Sequence, residues 1–549
     1  MLRKITFTFF IGIFPMFLWA NSHIPQTSIQ DQIRLRLENI QPGERLNIRN
    51  KNLKTSDEIY SFYANREFKE AWSSNGILTE IAYELRFEIK QAEFDGLNPS
   101  DYNLALIESF FKSFEENKKR NSENDTEDLA DLDLILSDAF FHLSSHLELG
   151  KVDPTKIDSN WEIIRKSPKV NHPELLETAL QSGSIRKSLE SLYPSFTMYR
   201  KGREVIRALD EKRKSDSTDW KAVKIDKTLK VGDANSGIPA LRERLVFWNY
   251  LEIYELENPK FYDSVMFVAV KEFQKRNGME PDGALGKMTV NALNQSPRIL
   301  MDRAAVNMER LRWLPDSLRD SEMIVVNIAN FQLDYLSKGD TLFSGKVIVG
   351  KQYHASPIFS APMKYIVFSP YWNVPNSIAR NELIPSIRRN PNYLRQKNME
   401  VVTHSGKLVD PSTINWSSKS FPYMIRQKPG GENSLGLVKF MFPNKHSVYL
   451  HDTPSKSLFE REDRALSHGC IRLQHPEKLA KLLLNDMPGW TDEKIQEAMH
   501  QTKEQIVNLN REIPVVLIYL TFWADSNGQG HFRPDIYGRD GEVLTALRK

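Results

Sequence analysis

The residues best suited to chemistry lie in one short stretch near the carboxyl end. Cys470 is the only cysteine of the chain, and it follows Ser467, His468 and Gly469 directly. A second histidine, His451, lies 19 positions upstream. A thiol nucleophile needs a base that takes its proton and donors that stabilise the oxyanion it creates. This composition and spacing predict a cysteine nucleophile with both kinds of partner nearby.

His451 is the predicted base, because it ends a predicted strand and the sheet can hold it rigidly. The backbone carbonyl of the following residue, Asp452, is expected to orient its ring. His468 is too close in sequence to Cys470 for its ring to be the better base. The predicted donors to the oxyanion are the backbone N–H groups of His468, Gly469 and Cys470, with the Tyr449 hydroxyl in addition.

Two other interpretations of these residues exist. A free cysteine is usually a small buried hydrophobe, but the neighbours of Cys470 are not a run of core residues. Zinc is the other partner of histidine and cysteine. The local set (His451, His468, Cys470 and His475) lacks a ligand pair that contains a second cysteine. We therefore expect no metal and no cofactor.

The first 20 residues predict an exported protein. Arg3 and Lys4 precede an apolar run over 5–18 that ends at Ala20, which is typical of a secretory signal peptide. An uncleaved membrane anchor is the alternative. In an oxidising compartment a single cysteine has no intrachain disulfide partner. The net charge of +3 gives no case for nucleic-acid binding.

The chain predicts a multidomain α+β protein. Residues 21–228 are predicted as a helical scaffold domain, 229–296 as a small three-helix domain and 297–321 as a helical linker. Helical periodicity marks the core of the three-helix domain. Its predicted core positions are Ile238, Leu241, Leu245, Trp248, Met266, Ala269, Val270, Phe273, Met288, Ala292 and Leu293.

Residues 322–525 predict a β-rich domain, a sandwich or a barrel, because β-branched strands recur at short spacing. Within it, residues 380–437 show no clear strand and contain prolines and basic residues. Such a stretch is typical of an insertion that covers a site, and a passive surface excursion is the alternative. Residues 526–549 are predicted as a tail.

Two families share the longer motifs of this chain. Residues 269–275, 282–286, 289 and 292–294 resemble the peptidoglycan-binding domain family. His451 followed by Ser467-His468-Gly469-Cys470 resembles the L,D-transpeptidase catalytic domain family of the YkuD type. Further similarity runs through residues 367–380, 440–444, 449–454 and 519–521. The whole arrangement is similar to the large branch of that family, which carries a scaffold domain and a capping insertion.

The resemblance implies a reaction on the peptidoglycan of the cell wall. Cys470 would attack the carbonyl of the third stem residue and release D-alanine, and a neighbouring stem amine would take the acyl group. Arg472, Trp372 and Ser467 are the expected substrate-binding residues; for Arg472, a carboxylate contact and plain packing both stay open. The family implies acylation by carbapenems and a periplasmic location, with stem peptides and glycan strands as partners.

Three rival functions remain at this point. They are an L,D-carboxypeptidase that uses water as acceptor, a cysteine endopeptidase, and a non-catalytic scaffold that binds the wall. Nothing around Cys470 resembles papain-like proteases. We expect a monomer that has no nucleic-acid partner and that contacts a membrane only through an uncleaved signal anchor.

Overall fold

The computed structural model describes residues 28–40, 44–120, 123–157, 161–163, 165–418 and 420–549. The predicted signal peptide, residues 1–20, lies outside them. None of the helices in these ranges combines the length and the apolar composition needed to cross a bilayer. The described chain forms two compact units. The first consists of the described residues up to Tyr83 together with Ala105–Ala139, and the second consists of Glu84–Leu104 together with Phe140–Lys549.

The first unit is built around a buried carboxylate, Asp133. The Ala71 and Trp72 backbone N–H groups donate to it at 2.9 Å, and the Tyr63 hydroxyl donates at 2.6 Å. Burial raises the pKa of Asp133 to about 6, and these hydrogen bonds oppose the shift. Its elements are helices Ile29–Glu38 and Ser56–Asn65, hairpins Asn47–Ile48 with Lys51–Asn52 and Ser73–Ser74 with Ile77–Leu78, and most of helices Leu104–Lys119 and Thr126–Leu149.

The second unit contains a helical layer with helix Pro297–Trp313 at its centre. Twelve of the 17 residues of this helix are buried, so the segment predicted as a linker packs as a core helix. It contacts helices Thr197–Lys214 and Asp540–Arg548. The other helices of this layer are Glu80–Gln91, Pro154–Ile157, His172–Ser182 and Ile185–Glu190. The predicted helical amino-terminal region is confirmed.

A fully buried ion pair lies within helix Pro297–Trp313, and its arginine connects that helix to the rest of the layer. Arg312 and Glu309 are both 0% exposed. The Arg312 guanidinium also donates to the Asp95 carbonyl at 2.7 Å and to the Tyr199 hydroxyl at 2.9 Å. The opposite charge and these acceptors compensate the desolvation of the guanidinium.

Arg312→Met is expected to lower the free energy of unfolding by about 3–5 kcal/mol, because it leaves Glu309 as an uncompensated buried charge. Urea denaturation followed by circular dichroism measures the loss. The double variant Glu309→Gln with Arg312→Met removes both charges and should lose less than the single variant. Equal losses in the two proteins would contradict the ion-pair explanation.

The three-helix domain has the predicted helices, at Ile238–Phe247, Ser264–Arg276 and Lys287–Leu293. Most of the predicted core positions are buried together. Trp248 and Met288 are exceptions, and their prediction as core was wrong. The first helix ends at Phe247, so Trp248 falls at its cap and is half-buried, while Met288 is 38% exposed.

The β-rich domain is a closed barrel. Its strands pair in the order Val438–Met441, Leu450–His451, Ile471–Leu473, Asp340–Gly350, Gln332–Ser337, Met323–Asn327, Gln505–Ile518 and Ile358–Phe368. The path closes because Val438–Met441 also pairs with Ile358–Phe368. Strands Trp161–Glu162 and Ala465–Ser467 attach to its side. Closure removes the free edges that an open sheet would expose.

The insertion over residues 380–437 is folded, which the sequence did not predict. Strands Met399–Val402, Leu408–Val409 and Met424–Gln427 form a four-stranded sheet with Trp372–Asn373. Helices Ile384–Arg389 and Tyr393–Gln396 cover it. The insertion has its own apolar core, which includes Leu383, Ile387 and Ile425. Strands of two to four residues are too short to give a period-two pattern.

The carboxyl end is packed against the helical layer. Strands Phe522–Ala524 and Gly530–Phe532 form a hairpin, and helix Asp540–Arg548 follows. Arg310 pairs with Asp540 at 2.6 Å. In the sequence, helices Pro476–Leu483 and Asp492–Met499 lie between Cys470 and strand Gln505–Ile518.

Candidate active site

Two short parallel strands place the predicted catalytic residues on one face of the barrel. His451 in Leu450–His451 is the register partner of Arg472 in Ile471–Leu473. Side chains two residues apart along a strand share a face. Tyr449 and Cys470, which immediately precede the two strands, line the same cavity as His451 and Arg472. The structure therefore brings Cys470 and His451, the predicted nucleophile and base, to one cavity, although 19 positions separate them in the sequence.

The loop that carries the nucleophile depends on glycine and serine. Gly469 has a φ of +118°, a conformation that residues with a Cβ rarely adopt. The Ser467 hydroxyl accepts the Gly469 N–H at 3.1 Å and donates to the Cys470 carbonyl at 2.6 Å. Ser467 is 2% exposed. These contacts give Ser467 a role in shaping the loop.

The same contacts revise the predicted oxyanion donors. The N–H of Gly469 is occupied by Ser467. Within the described ranges, the backbone N–H groups of His468 and Cys470 donate to no protein acceptor. These two groups are therefore the ones available to a ligand. The His468 ring points to the insertion, where its Nε2 lies 3.1 Å from Glu382.

His451 has the geometry of a general base. Its Nδ1 is hydrogen-bonded to the Asp452 carbonyl, as the sequence predicted. A carbonyl only accepts, so Nδ1 carries the proton and Nε2 keeps its lone pair. Burial, and then the nearby Arg472 charge, lower the pKa of His451 to about 3. The imidazole is therefore neutral at physiological pH, with Nε2 unprotonated, although its low pKa makes it a weaker base than a free histidine.

Cys470 is a protonated thiol in this environment. Burial raises its pKa above the ordinary thiol value, and hydrogen bonds from the Tyr449 backbone and hydroxyl oppose the shift. Its Sγ lies 3.8 Å from the Ser447 carbonyl. The predicted Tyr449 hydroxyl thus contacts the nucleophile. With a neutral imidazole beside a neutral thiol, the site suits proton transfer during attack.

Two cations complete the electrostatics of the site, and sequence reasoning missed Lys439. Lys439 is the cross-strand partner of His451, and its ammonium lies 4.1 Å from the centre of the Tyr449 ring. The Lys439 and Arg472 charges both lower the pKa of Cys470. Burial lowers the pKa of both cations. A developing thiolate and these cations therefore stabilise each other.

Asp452 connects the base to the insertion. Its carboxylate accepts the Leu437 N–H at 2.9 Å and pairs with Lys456. A Cβ at Gly436, whose φ is +63°, would lie 2.3 Å from that carboxylate. One residue thus orients the His451 ring through its backbone and holds the end of the insertion through its side chain.

Cys470 and His451 line a cavity of about 370 Å³. The insertion contributes part of the wall through Asn381, Glu382, Ser434 and Leu435. Trp372, Ser467 and Arg472, predicted as substrate-binding residues, also line it. This volume is in the range of small-molecule sites, about 300–1,000 Å³.

His475 does not take part in this cavity. It lies beyond strand Ile471–Leu473, and its Nδ1 is 3.4 Å from Glu477. Among the described residues, no group of three or more His, Cys, Asp or Glu side chains could hold a metal ion.

Comparison with known families gives this geometry a context. Residues 321–500 match the model of the L,D-transpeptidase catalytic domain. The chain contains an L,D-transpeptidase catalytic domain. Residues 57–205 match a scaffold domain and 235–293 a "Putative peptidoglycan binding domain". The three matches follow the order that the sequence motifs predicted for an L,D-transpeptidase of the scaffold-bearing type.

A curated relative of the chain comes from Haemophilus influenzae and is named "Putative L,D-transpeptidase". The two are 35% identical over 249 residues, which are 45% of this chain and 50% of the relative. The matched part thus spans about half of that protein.

Two solved structures superpose poorly on the chain. One is an L,D-transpeptidase from Xylanimonas cellulosilytica that is 12% identical, and the alignment covers 54% of this chain and 100% of that chain with a TM-score of 0.16. The other is a fused zinc-dependent amidase, peptidase and peptidoglycan-binding domain protein from Clostridium acetobutylicum, with 11% identity, 53% and 99% covered, and a TM-score of 0.15. Neither overlap bears on the fold or the site.

The pH dependence of thiol alkylation should report the ionisation states of the site. The pKa of Cys470 is raised and that of His451 lowered to about 3, so neither group titrates between about pH 5 and 8. The rate of reaction with iodoacetamide should rise steadily with pH and level only above the ordinary thiol pKa. The pH profile of glutathione alkylation, measured with the same reagent, is the control for a free thiol. A plateau that begins near pH 6 would indicate a preformed thiolate–imidazolium pair and contradict this description.

Lys439→Met should move that profile to higher pH, because it removes a cation that favours the thiolate. A shift of one pKa unit would slow alkylation at pH 7.5 about tenfold. Lys439→Arg keeps the charge and should retain most of the rate. Lys364→Met removes a charge that pairs with Glu512 elsewhere on the barrel and should have no effect. An unchanged profile in Lys439→Met would exclude this role.

Proposed function

We propose that this protein is a peptidoglycan L,D-transpeptidase. The observation that carries the proposal is the pairing of a thiol, Cys470, with a neutral imidazole, His451, in a cavity partly walled by the insertion. The match of residues 235–293 to a peptidoglycan binding domain supports the cell wall as the source of the substrate.

In the first half of the reaction, His451 Nε2 takes the Cys470 proton as Sγ attacks the carbonyl of the third stem residue. The oxygen of that carbonyl becomes an oxyanion, which the N–H groups of His468 and Cys470 are suited to stabilise. The C–N bond to D-alanine then breaks, and the imidazolium returns its proton to the leaving amine. The product is an acyl-thioester on Cys470.

In the second half, the side-chain amine of a neighbouring stem attacks the thioester. His451 takes a proton from that amine, the C–S bond breaks, and the thiol is restored with the same proton. The new amide links two residues at position three. The insertion favours this outcome over hydrolysis, because its residues form part of the cavity wall and would limit the access of water to the thioester.

Arg472 is suited to bind the carboxylate of the departing D-alanine. Its Nε is buried without a hydrogen-bond partner among the described residues. A buried guanidinium donor without an acceptor is costly, and a substrate carboxylate would supply that acceptor. This observation favours carboxylate recognition over plain packing.

The setting of the reaction follows from the same observations. The amino-terminal segment and the wall-related domain matches support an exported, periplasmic protein whose partners are stem peptides and glycan strands. A monomer is sufficient, since one chain supplies every residue used above. A carbapenem should acylate Cys470, because its strained lactam presents a carbonyl to the same thiol and donors.

Incubation of the purified chain with a disaccharide-tetrapeptide tests the proposal, with products followed by mass spectrometry. Dimers that have lost one D-alanine would establish transpeptidation. Tripeptide monomers alone would establish an L,D-carboxypeptidase instead. An unchanged substrate would favour a non-catalytic scaffold that binds the wall and would overturn the proposal.

A further inference from the structure

A second cavity, of about 350 Å³, lies where the three-helix domain meets helix Pro297–Trp313 and the carboxyl-terminal hairpin. Trp248 and Met288, the two residues wrongly predicted as core, line it. These two apolar side chains, which their own domain does not bury, thus form part of the cavity wall. The cavity shares no lining residue with the one that contains Cys470.

Two partly buried arginines in this cavity have only neutral partners. Arg533 donates to Asn330 at 2.8 Å and to the Phe532 carbonyl at 2.9 Å. Arg303 donates to Gln295 at 3.1 Å. Within the described ranges, neither guanidinium has a carboxylate at ion-pair distance. Burial lowers the pKa of both, that of Arg533 to about 10. Desolvated cations that no carboxylate contacts directly favour the binding of an anion.

The acidic residue of the cavity is already engaged. Asp535 accepts hydrogen bonds from the Tyr519 hydroxyl at 2.6 Å and from the Arg539 and Asp540 backbone N–H groups at 2.9 Å. Asp535 and Asp540 stabilise the charge of Arg303 from a longer range. The cavity thus offers hydrogen-bond donors and positive charge.

The remaining walls are aromatic and amide groups. Trp248, Tyr250 and Phe273 supply apolar ring faces, which suit the apolar faces of sugar rings and peptide side chains. In the described part of the chain, neither the Trp248 indole N–H nor the Asn291 side-chain amide has a hydrogen-bond partner. Both groups remain available to a ligand.

We propose that this cavity binds a carboxylate-bearing glycopeptide segment of the cell wall. Its carboxylate would pair with Arg533 and Arg303, and its sugar or peptide body would pack on Trp248 and Tyr250. The class of ligand rests on the proposed function, whereas the preference for an anion rests on the two arginines alone. Because helix Pro297–Trp313 and the hairpin complete the cavity, the three-helix domain would bind this segment only in its place within the chain.

A disaccharide-dipeptide is the probe that separates this cavity from the active site. It carries sugar rings and free carboxylates but lacks the third stem residue on which Cys470 would act. Isothermal titration into the full chain should show one bound probe per protein. An analogue with amidated carboxylates should bind about tenfold more weakly, because the charge-assisted hydrogen bonds are lost.

Asn291→Asp is the decisive variant, because the side chain is exposed and has no hydrogen-bond partner whose loss could unfold the protein. It places a negative charge at the cavity and should weaken binding about three- to tenfold. Lys275→Gln is the matched control, because it changes the net charge by the same amount at an exposed position of the same domain outside the cavity. This variant should bind the probe as tightly as the unmodified chain does. Arg303→Gln should weaken binding at least as much as Asn291→Asp.

Three results would overturn the inference. They are the absence of binding, equal affinity for the amidated analogue, and equal affinity in Asn291→Asp and Lys275→Gln. Each is independent of turnover, since the probe is not a substrate. If the protein binds the probe but leaves the tetrapeptide intact, this inference stands and the proposed enzyme activity is overturned. If it converts the tetrapeptide but does not bind the probe, the enzyme activity stands and this inference is overturned.

Discussion

Cys470→Ala is expected to abolish release of D-alanine from a disaccharide-tetrapeptide, with a loss of about 10⁴-fold or more. The substitution keeps the Cβ and removes only the Sγ that forms the thioester. The contacts of Sγ are with Tyr449 and Ser447, whereas the strands of the barrel pair through backbone groups that the substitution leaves in place. The variant should therefore unfold at the temperature of the unmodified protein.

Cys470→Ser provides the matched comparison, because it keeps a hydrogen-bonding group at the same place. A serine hydroxyl is far less acidic than a thiol, and His451 is too weak a base to compensate, so this variant should also be inactive. Mass spectrometry of the products measures the turnover of both variants. Turnover by either variant at the unmodified rate would show that the thiol does not carry the reaction.

His451→Gln should reduce turnover by about 10²- to 10⁴-fold, the usual contribution of a general base. Its effect on iodoacetamide alkylation at pH 9 should be small, within about threefold, because a neutral imidazole does not hold the thiolate by charge. The two measurements on one variant thus separate proton transfer from electrostatic activation. Added imidazole should restore part of the turnover.

An equal fall in alkylation and turnover would contradict the neutral-pair description of the site. It would mean that His451 is charged in the free protein. Lys439→Met has the opposite expected pattern, a large effect on alkylation through the thiol pKa, so the two variants serve as controls for each other.

Local patterns carried the predictions for the candidate site. Cys470 was singled out because it is the only cysteine and follows His468 and Gly469, and His451 because it ends a predicted strand; their catalytic roles stay predictions. The Asp452 carbonyl followed from its position next to His451. Strands at short spacing indicated the β-rich domain, although only the pairing of Val438–Met441 with two partners decides between a sandwich and a barrel.

The residues that were missed or misplaced depend on contacts between distant segments. Lys439 becomes part of the site only through its register with His451 across the sheet, which no spacing in the sequence reveals. Ser467 looked like a substrate contact, but its hydroxyl is used within its own loop. Trp248 fitted a helical face by periodicity, yet the helix ends one residue earlier.

The position of the insertion has a consequence for how such proteins diversify. The segment that contains it leaves strand Ile358–Phe368 and returns at Val438, and Phe368 and Val438 are register partners. In the barrel it therefore occupies the place of a hairpin loop, although it has a sheet and core of its own. Loops of this kind can lengthen or be exchanged at little entropic cost. Substrate range can thus evolve in the insertion while the strands that carry Cys470 and His451 keep their register, provided that Gly436 and Leu437 still fit against Asp452.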